Sequence, residues 1–310
     1  MRYYILKISA LSLILMQVLF SCGNKEKITL EYNLKQGETL KQNMVMNMDM
    51  VQKMMDQEMK ISLTMSMKMA FDVKESQGND YTLDVKFKEL KTEMGIPGMG
   101  NVSFDSNTPD ELATSENIGP MYKAVIDKPF EVVMDKAGKT KSVKGLEKLV
   151  EAMTNSFDEN VPEDARQQLI AQMGSQFSEE AFKSQFGQYT GYFPDKPVGI
   201  GDSWNVKMTT MASNFAINLD LKSTLKSIDG NEVSLDIDGT VSTPEGYEQE
   251  MNGMKAKITL NGTQKGTFKL NRDTGWVISS DLTMNFNGEI EVMGMKAPVY
   301  VVSKLTVTGE

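Results

Sequence analysis

From Ile61 to Val73, apolar residues (Ile61, Leu63, Met65, Met67, Met69, Phe71, Val73) alternate with smaller or polar ones. A period of two sustained over thirteen residues predicts a β-strand with one buried face. At about 40 Å it is long for a strand and points to a large curved sheet or a barrel. Met44, Met46, Met48 and Met50 mark the strand before it; Tyr81, Leu83, Val85 and Phe87 mark the one after. Further along, the period changes. Leu146, Leu149, Val150, Met153 and Phe157 fall at helical spacing. Pro162, with Glu163 and Asp164, opens a second helix that carries Ala165, Leu169 and Met173 on one side. Ser178 before Glu179 and Glu180 caps a third, with Phe182 and Phe186 one turn apart.

The strand patterns on either side of the helices correspond. Gly37-Glu38-Thr39-Leu40 with Met44 matches Gly201-Asp202-Ser203-Trp204 with Met208. Lys74 to Val85 matches Lys226 to Ile237, sharing a Gly-Asn turn, and Phe130, Asp135 and Gly138 match Phe268, Asp273 and Gly275. Three matches in one order predict an internal duplication. The expected fold is therefore mainly β: an antiparallel, strongly curved sheet or open barrel of two related halves with a helical insert. The halves cover residues 28–144 and 188–310 of one domain spanning 28–310, with the insert at 145–187.

Composition narrows the chemistry. The chain of 310 residues has no histidine, one cysteine and 25 methionines. This excludes a His-assisted nucleophile, an imidazole base and the usual His-containing zinc sites. One cysteine permits no internal disulfide. A formal charge of −9 opposes nucleic-acid binding, which needs basic residues against phosphates. No Gly-x-Ser-x-Gly elbow or Walker loop is present. No catalytic residues, metal ligands or cofactor are assigned, and the expectation is a non-enzymatic protein.

The first residues read as an address. Arg2 and Lys7 precede an uncharged run from Ile8 to Phe20, which as a helix covers only about 20 Å and is too short to span a bilayer. That is the pattern of a secretory signal. The run ends in Leu19-Phe20-Ser21-Cys22, which looks like a bacterial lipobox around the only cysteine. The resemblance implies cleavage after residue 21 and lipidation of Cys22 with diacylglycerol and palmitate. Residues 22–27 then form a short tether, and the mature charge falls to −11 because only Arg2 and Lys7 are lost. Gly23 lacks the charge of an inner-membrane retention signal, so the outer membrane is the expected site, with Cys22 as the membrane contact.

Several groups are candidate sites. Ten methionines lie between Met44 and Met69. Met44, Met46, Met48, Met65, Met67 and Met69 share their face with core-forming residues. They build either a closed apolar core or an adaptable groove for an apolar small ligand; cuprous-ion binding through the same thioethers is a third reading. Tyr192 and Trp204, with Tyr189 and Phe193, form either an aromatic platform or a packed corner into the second half. The alignment of Trp204 with Leu40 favours the corner. Loops at 94–100 and 243–254 follow corresponding hairpins and are expected to frame one opening. Asp105, Asn107 and Asp110 are spaced loosely like a calcium loop, without its glycine or distal Glu.

The Cys22 lipobox, the Met44–Met69 strands, the Phe130–Gly145 segment and the Phe193–Trp204 segment together resemble uncharacterised lipoproteins abundant in Bacteroidota, grouped as domains of unknown function. The resemblance implies an envelope location and a single extended domain. It implies no activity, and protein partners remain unassigned.

Overall fold

The computed structural model describes residues 26–54, 57–97, 100–108, 119–157, 161–212, 215–251 and 254–310. The leader and Cys22, Met99 and Asp110 lie outside the described residues, as do the side chains of Leu169, Met173 and Tyr189.

Alternation builds long strands. The first group comprises β2 (Thr39–Met54), β3 (Gln57–Gln77), β4 (Asp80–Ile96), β5 (Gly100–Asp105), β6 (Phe130–Asp135) and β7 (Thr140–Lys144). The second comprises β9 (Ser203–Ala212), β10 (Phe215–Asp229), β11 (Glu232–Ser242), β12 (Glu248–Met251), β13 (Met254–Asn271), β14 (Val277–Val292) and β15 (Met295–Gly309). Two short strands, β1 (Lys27–Ile28) and β8 (Val198–Gly199), pair with each other. All the others join one sheet in the order β7-β6-β4-β3-β2-β15-β14-β13-β11-β10-β9, with β5 added to β4 and β12 to β13. Every pairing within it is antiparallel. The chain thus adopts the mainly β, antiparallel class that its alternation predicts. Among the described residues no pairing joins β7 to β9, and the sheet is neither closed nor strongly curled; strand length alone does not bring about the strongly curved or barrel form expected from it.

The two segments read as irregular loops are partly strand. β4 continues to Ile96 and pairs with β5 from Gly100, and β12 pairs with β13 from Met251↔Met254 onward, while residues 243–247 stay irregular. Small and polar residues obscured the period there, although the backbone still completes its ladder.

Between the groups lie α1 (Gly119–Lys123), α2 (Leu146–Thr154), α3 (Glu163–Gln176) and α4 (Glu179–Thr190). Ser178 accepts a hydrogen bond from the Ala181 amide at 3.2 Å and caps α4. This helix touches both edges of the sheet. Glu179 accepts from the Val143 amide of β7 at 3.4 Å, and the Ser184 hydroxyl meets the Thr210 hydroxyl of β9 at 3.1 Å.

The sheet has two unlike ends. At the near end, buried Leu30, Tyr32 and Leu34 cross between the 136–139 and 271–276 turns. The Tyr32 amide donates to the Lys136 carbonyl and the Asn33 amide to the Thr274 carbonyl. Tyr32 packs against Phe193 and Trp276, and burial pushes its phenol pKa up. At the far end stand the β14–β15 and β12–β13 turns.

The outward face is largely polar, apart from exposed Tyr300 and Val302, and is tied by cross-strand ion pairs such as Lys68–Glu89, Lys207–Asp220 and Lys304–Asp281. Hydrogen bonds from Thr39 and then Lys86 hold the Asp72 carboxyl below the ordinary carboxylate range. Lys68 does the same for Glu89. A depressed folded pKa contributes stability fully above the unfolded value, about 4, and loses it as pH falls through the lower folded value. No histidine titrates above that range. The thermal midpoint is therefore expected to stay level from about pH 6 to 8 and to fall below about pH 4. Asp72→Asn should make the acid fall shallower; a step near neutrality in a pH-melting series would contradict this account.

Candidate functional site

The methionine strip runs along the inward face of β2 and β3. Cross-strand register pairs Met44 with Met67, Met46 with Met65 and Met48 with Leu63, while Met69 pairs with Gln42. On the other side of β2, Met44 faces Val307, Met46 faces Leu305 and Met48 faces Ser303. Alternation sends the charged residues of these strands outward. Inward positions from Leu40 to Met50 and from Ile61 to Val73 therefore carry no charge.

Burial falls along this strip. Met44 and Met69, toward the near end, are 4% and 5% exposed. Met46 and Met67 are half-buried against the core, Met48 is half-buried, and Met65 reaches 37% exposure. The near half of the strip is core and the far half is an open apolar surface. The reason is local: Trp276, Phe186 and Phe71 cover the near half, with ring centroids 5.1 Å apart for Phe71–Trp276 and 6.3 Å for Phe71–Phe186.

Next to that aromatic group, Gln42, Met69, Phe71, Thr140, Phe186 and Trp276 help to line a cavity of about 20 Å³. It has room for roughly one water molecule and is far too small for a lipid.

Polar groups also occur on the inward face. Gln264, Ser280 and Ser303 are 1%, 3% and 6% exposed. Register places Gln264 in one row with Met284, Ser303 and Met48. Gln264 Oε1 and Ser280 Oγ have no hydrogen-bond partner among the described residues. An unpaired buried polar atom costs about 1–3 kcal/mol, so these oxygens are a polar feature inside an apolar face. Sequence reading missed them, because a lone Gln or Ser in a strand carries no periodic signal.

Tyr192 and Trp204 lie elsewhere. Tyr192 is buried, its ring 4.6 Å from that of Phe268, and its carbonyl accepts from Trp204 Nε1 at 2.8 Å. They form a packed corner at β9, six strands from β2 in sheet order. Tyr192 is closed to solvent, while Trp204 and Phe193 are half-buried. Asp105 accepts from the Asn107 amide at 2.9 Å and from Lys91 Nζ at 3.0 Å, and these bonds hold its carboxyl pKa low. A carboxylate already engaged by an ammonium is a poor calcium ligand.

A family model described as a family of unknown function (DUF6263) matches residues 78–277. No curated protein is matched. Among solved structures, an outer membrane channel from Pseudomonas putida F1 is similar at 7% identity, covering 90% of this chain and 97% of its own, with a TM-score of 0.25. The translocator domain of the autotransporter NalP from Neisseria meningitidis gives 8%, 89% of both chains and 0.22. Salmonella typhi OmpF gives 6%, 89% and 99%, and 0.21. Similarity this low carries no argument about the present chain. The residue pattern also differs from that of a spanning barrel, which turns apolar residues outward to lipid; this sheet turns its ion pairs outward.

Proposed function

Because the chain belongs to a family of unknown function (DUF6263), its role rests on its own geometry, and we propose that it is a non-enzymatic envelope lipoprotein holding an apolar or lipid-like ligand. The carrying observation is the uncharged methionine face, closed at Met44 and Met69 and open at Met65. Flexible thioethers adapt to varied apolar shapes. The absence of charge on the inward positions suits a neutral ligand, and the unpaired Gln264 Oε1 suits a hydroxyl or amide donor at its polar end.

In this reading the protein is of the Bacteroidota type and Cys22 carries the lipid at the outer membrane. The near end then faces the membrane, since Glu26 of the tether is ion-paired there with Arg272 of the 271–276 turn.

We further read the sheet as two related halves, with α4 against both of its edges. Two correspondences support the duplication. The order β2-β3-β4-β6-β7 parallels β9-β10-β11-β13-β14. Gly37 N donates to Val73 O as Gly201 N donates to Leu225 O, and Val73 N donates to Glu38 O as Leu225 N donates to Asp202 O.

The test is extraction of the protein from its own host, followed by mass spectrometry of the bound material. A stoichiometric apolar species is expected. The fluorophore N-phenyl-1-naphthylamine should bind at one site, about tenfold more weakly in Met48→Asn and Met65→Asn. No copurified ligand and no saturable binding would sink the proposal. The water-sized cavity favours the second reading, a structural or interaction lipoprotein with a solid core, which those negative results would support. Cuprous binding by Met44, Met46 and Met48 is the least favoured, because Met44 is enclosed by apolar neighbours.

A further inference from the structure

Three large apolar side chains exposed at the far end are methionines, and they occupy adjoining turns. Met293 is 80% exposed, Met295 67% and Met254 42%. Met293 and Gly294 form the two-residue turn between β14 and β15, and Met254 opens β13.

The ladder sets their positions. Ala256 pairs with Val292, and Val292 pairs with Met295. Met254, two residues before Ala256, therefore shares a sheet face with Met295. The two lie on either side of β14 and two residues out of register, about 12 Å apart in backbone terms. Extended methionine side chains can meet across that spacing, and Met293 stands at the turn between them.

The turn itself is informative. Met293 has φ 51° and Gly294 φ 79°, the consecutive positive values of a type I′ turn, where Asn-Gly is the favoured pair. A methionine with positive φ is an uncommon and unfavourable choice. At 80% exposure it gains almost no burial in return. Neither turn geometry nor packing accounts for this residue, whereas a thioether sulfur held at the tip does.

We propose that Met254, Met293 and Met295 form a three-thioether site for a soft monovalent cation, Cu(I) or Ag(I). Thioethers select such ions over hard ones, and three of them supply a neutral trigonal set. Lys296, on the opposite face of the sheet from Met295, is held by Glu289 at 2.5 Å and Glu291 at 3.9 Å. Thioethers do not titrate, so binding is independent of pH where His or Cys ligands would compete with protons. The site is distinct from the Met44–Met69 strip and does not depend on the ligand proposal.

The experiment is titration of the full chain with Ag(I), and with Cu(I) against a chromophoric chelator, followed by NMR of labelled methionine methyls. One equivalent should bind and shift the methyls of Met254, Met293 and Met295. Met254→Leu and Met295→Leu should each weaken binding about tenfold or more. Met293→Asn suits the turn, so it should keep or raise the thermal midpoint while weakening the metal. Met44→Leu and Met46→Leu should leave affinity unchanged, as should moving between about pH 5 and 8. No uptake, unchanged affinity in the three variants, or loss in Met44→Leu would each overturn the proposal.

Discussion

Phe71→Ala is expected to lower stability by about 3–5 kcal/mol, the range for an aromatic removed from a packed core. Phe71 is 3% exposed and sits where three parts of the chain converge. Its ring meets Trp276 edge-on, from the turn before β14, and Phe186 of α4. It also lines the small cavity, so truncation enlarges a void that the surrounding sheet cannot collapse to fill. Because α4 is bonded to both sheet edges, the loss should reach β7 and β9 as well as β3. Urea unfolding measures the effect, and hydrogen exchange at Val143 and Thr210 measures its spread. A loss below about 1 kcal/mol would mean that the aromatic group is not the keystone of the near end.

Gly266→Ala should be the most costly single-methyl addition among the variants considered, at about 1–3 kcal/mol. Gly266 lies in mid-strand, paired with Leu282. A Cβ there would overlap the Asp281 carbonyl oxygen and sit 2.9 Å from Leu282 Cα. Both obstacles are backbone, so no rotamer change relieves them and β13 must move away from β14. Gly174→Ala in α3 is the control, since nothing lies within 4 Å of its added Cβ. There the helix should gain about 0.5–1 kcal/mol from propensity. Calorimetry of the two variants should therefore move in opposite directions; a neutral Gly266→Ala would show that the two strands can separate freely.

Much of the local structure is legible in the residues. The Gly78-Asn79 and Gly230-Asn231 pairs each make a tight hairpin, with φ 60° and 57° at the glycines. Ser178 caps α4, and the Ile61–Val73 alternation becomes β3 at somewhat greater length. Each of these signals is contained within a few neighbouring residues. The strands β5 and β12 were not legible, because glycines and polar residues break their alternation while backbone pairing persists. Nor did any pattern announce the Met254–Met295 grouping, since it arises from two turns separated by some forty residues.

By itself, then, the sequence determines which positions face inward, where the chain turns, and that the methionines of β2 and β3 share an uncharged face. Period-two geometry compels this whatever the partners. Only the tertiary structure decides that β15 pairs with β2 and joins the two groups of strands. It likewise decides that α4 meets both edges, and that Trp276 and Phe186 cover Met69 while Met65 stays open. Pairing partners are chosen by long-range packing, which no local period encodes. The burial of a methionine depends on what crosses over it as well as on the face it occupies.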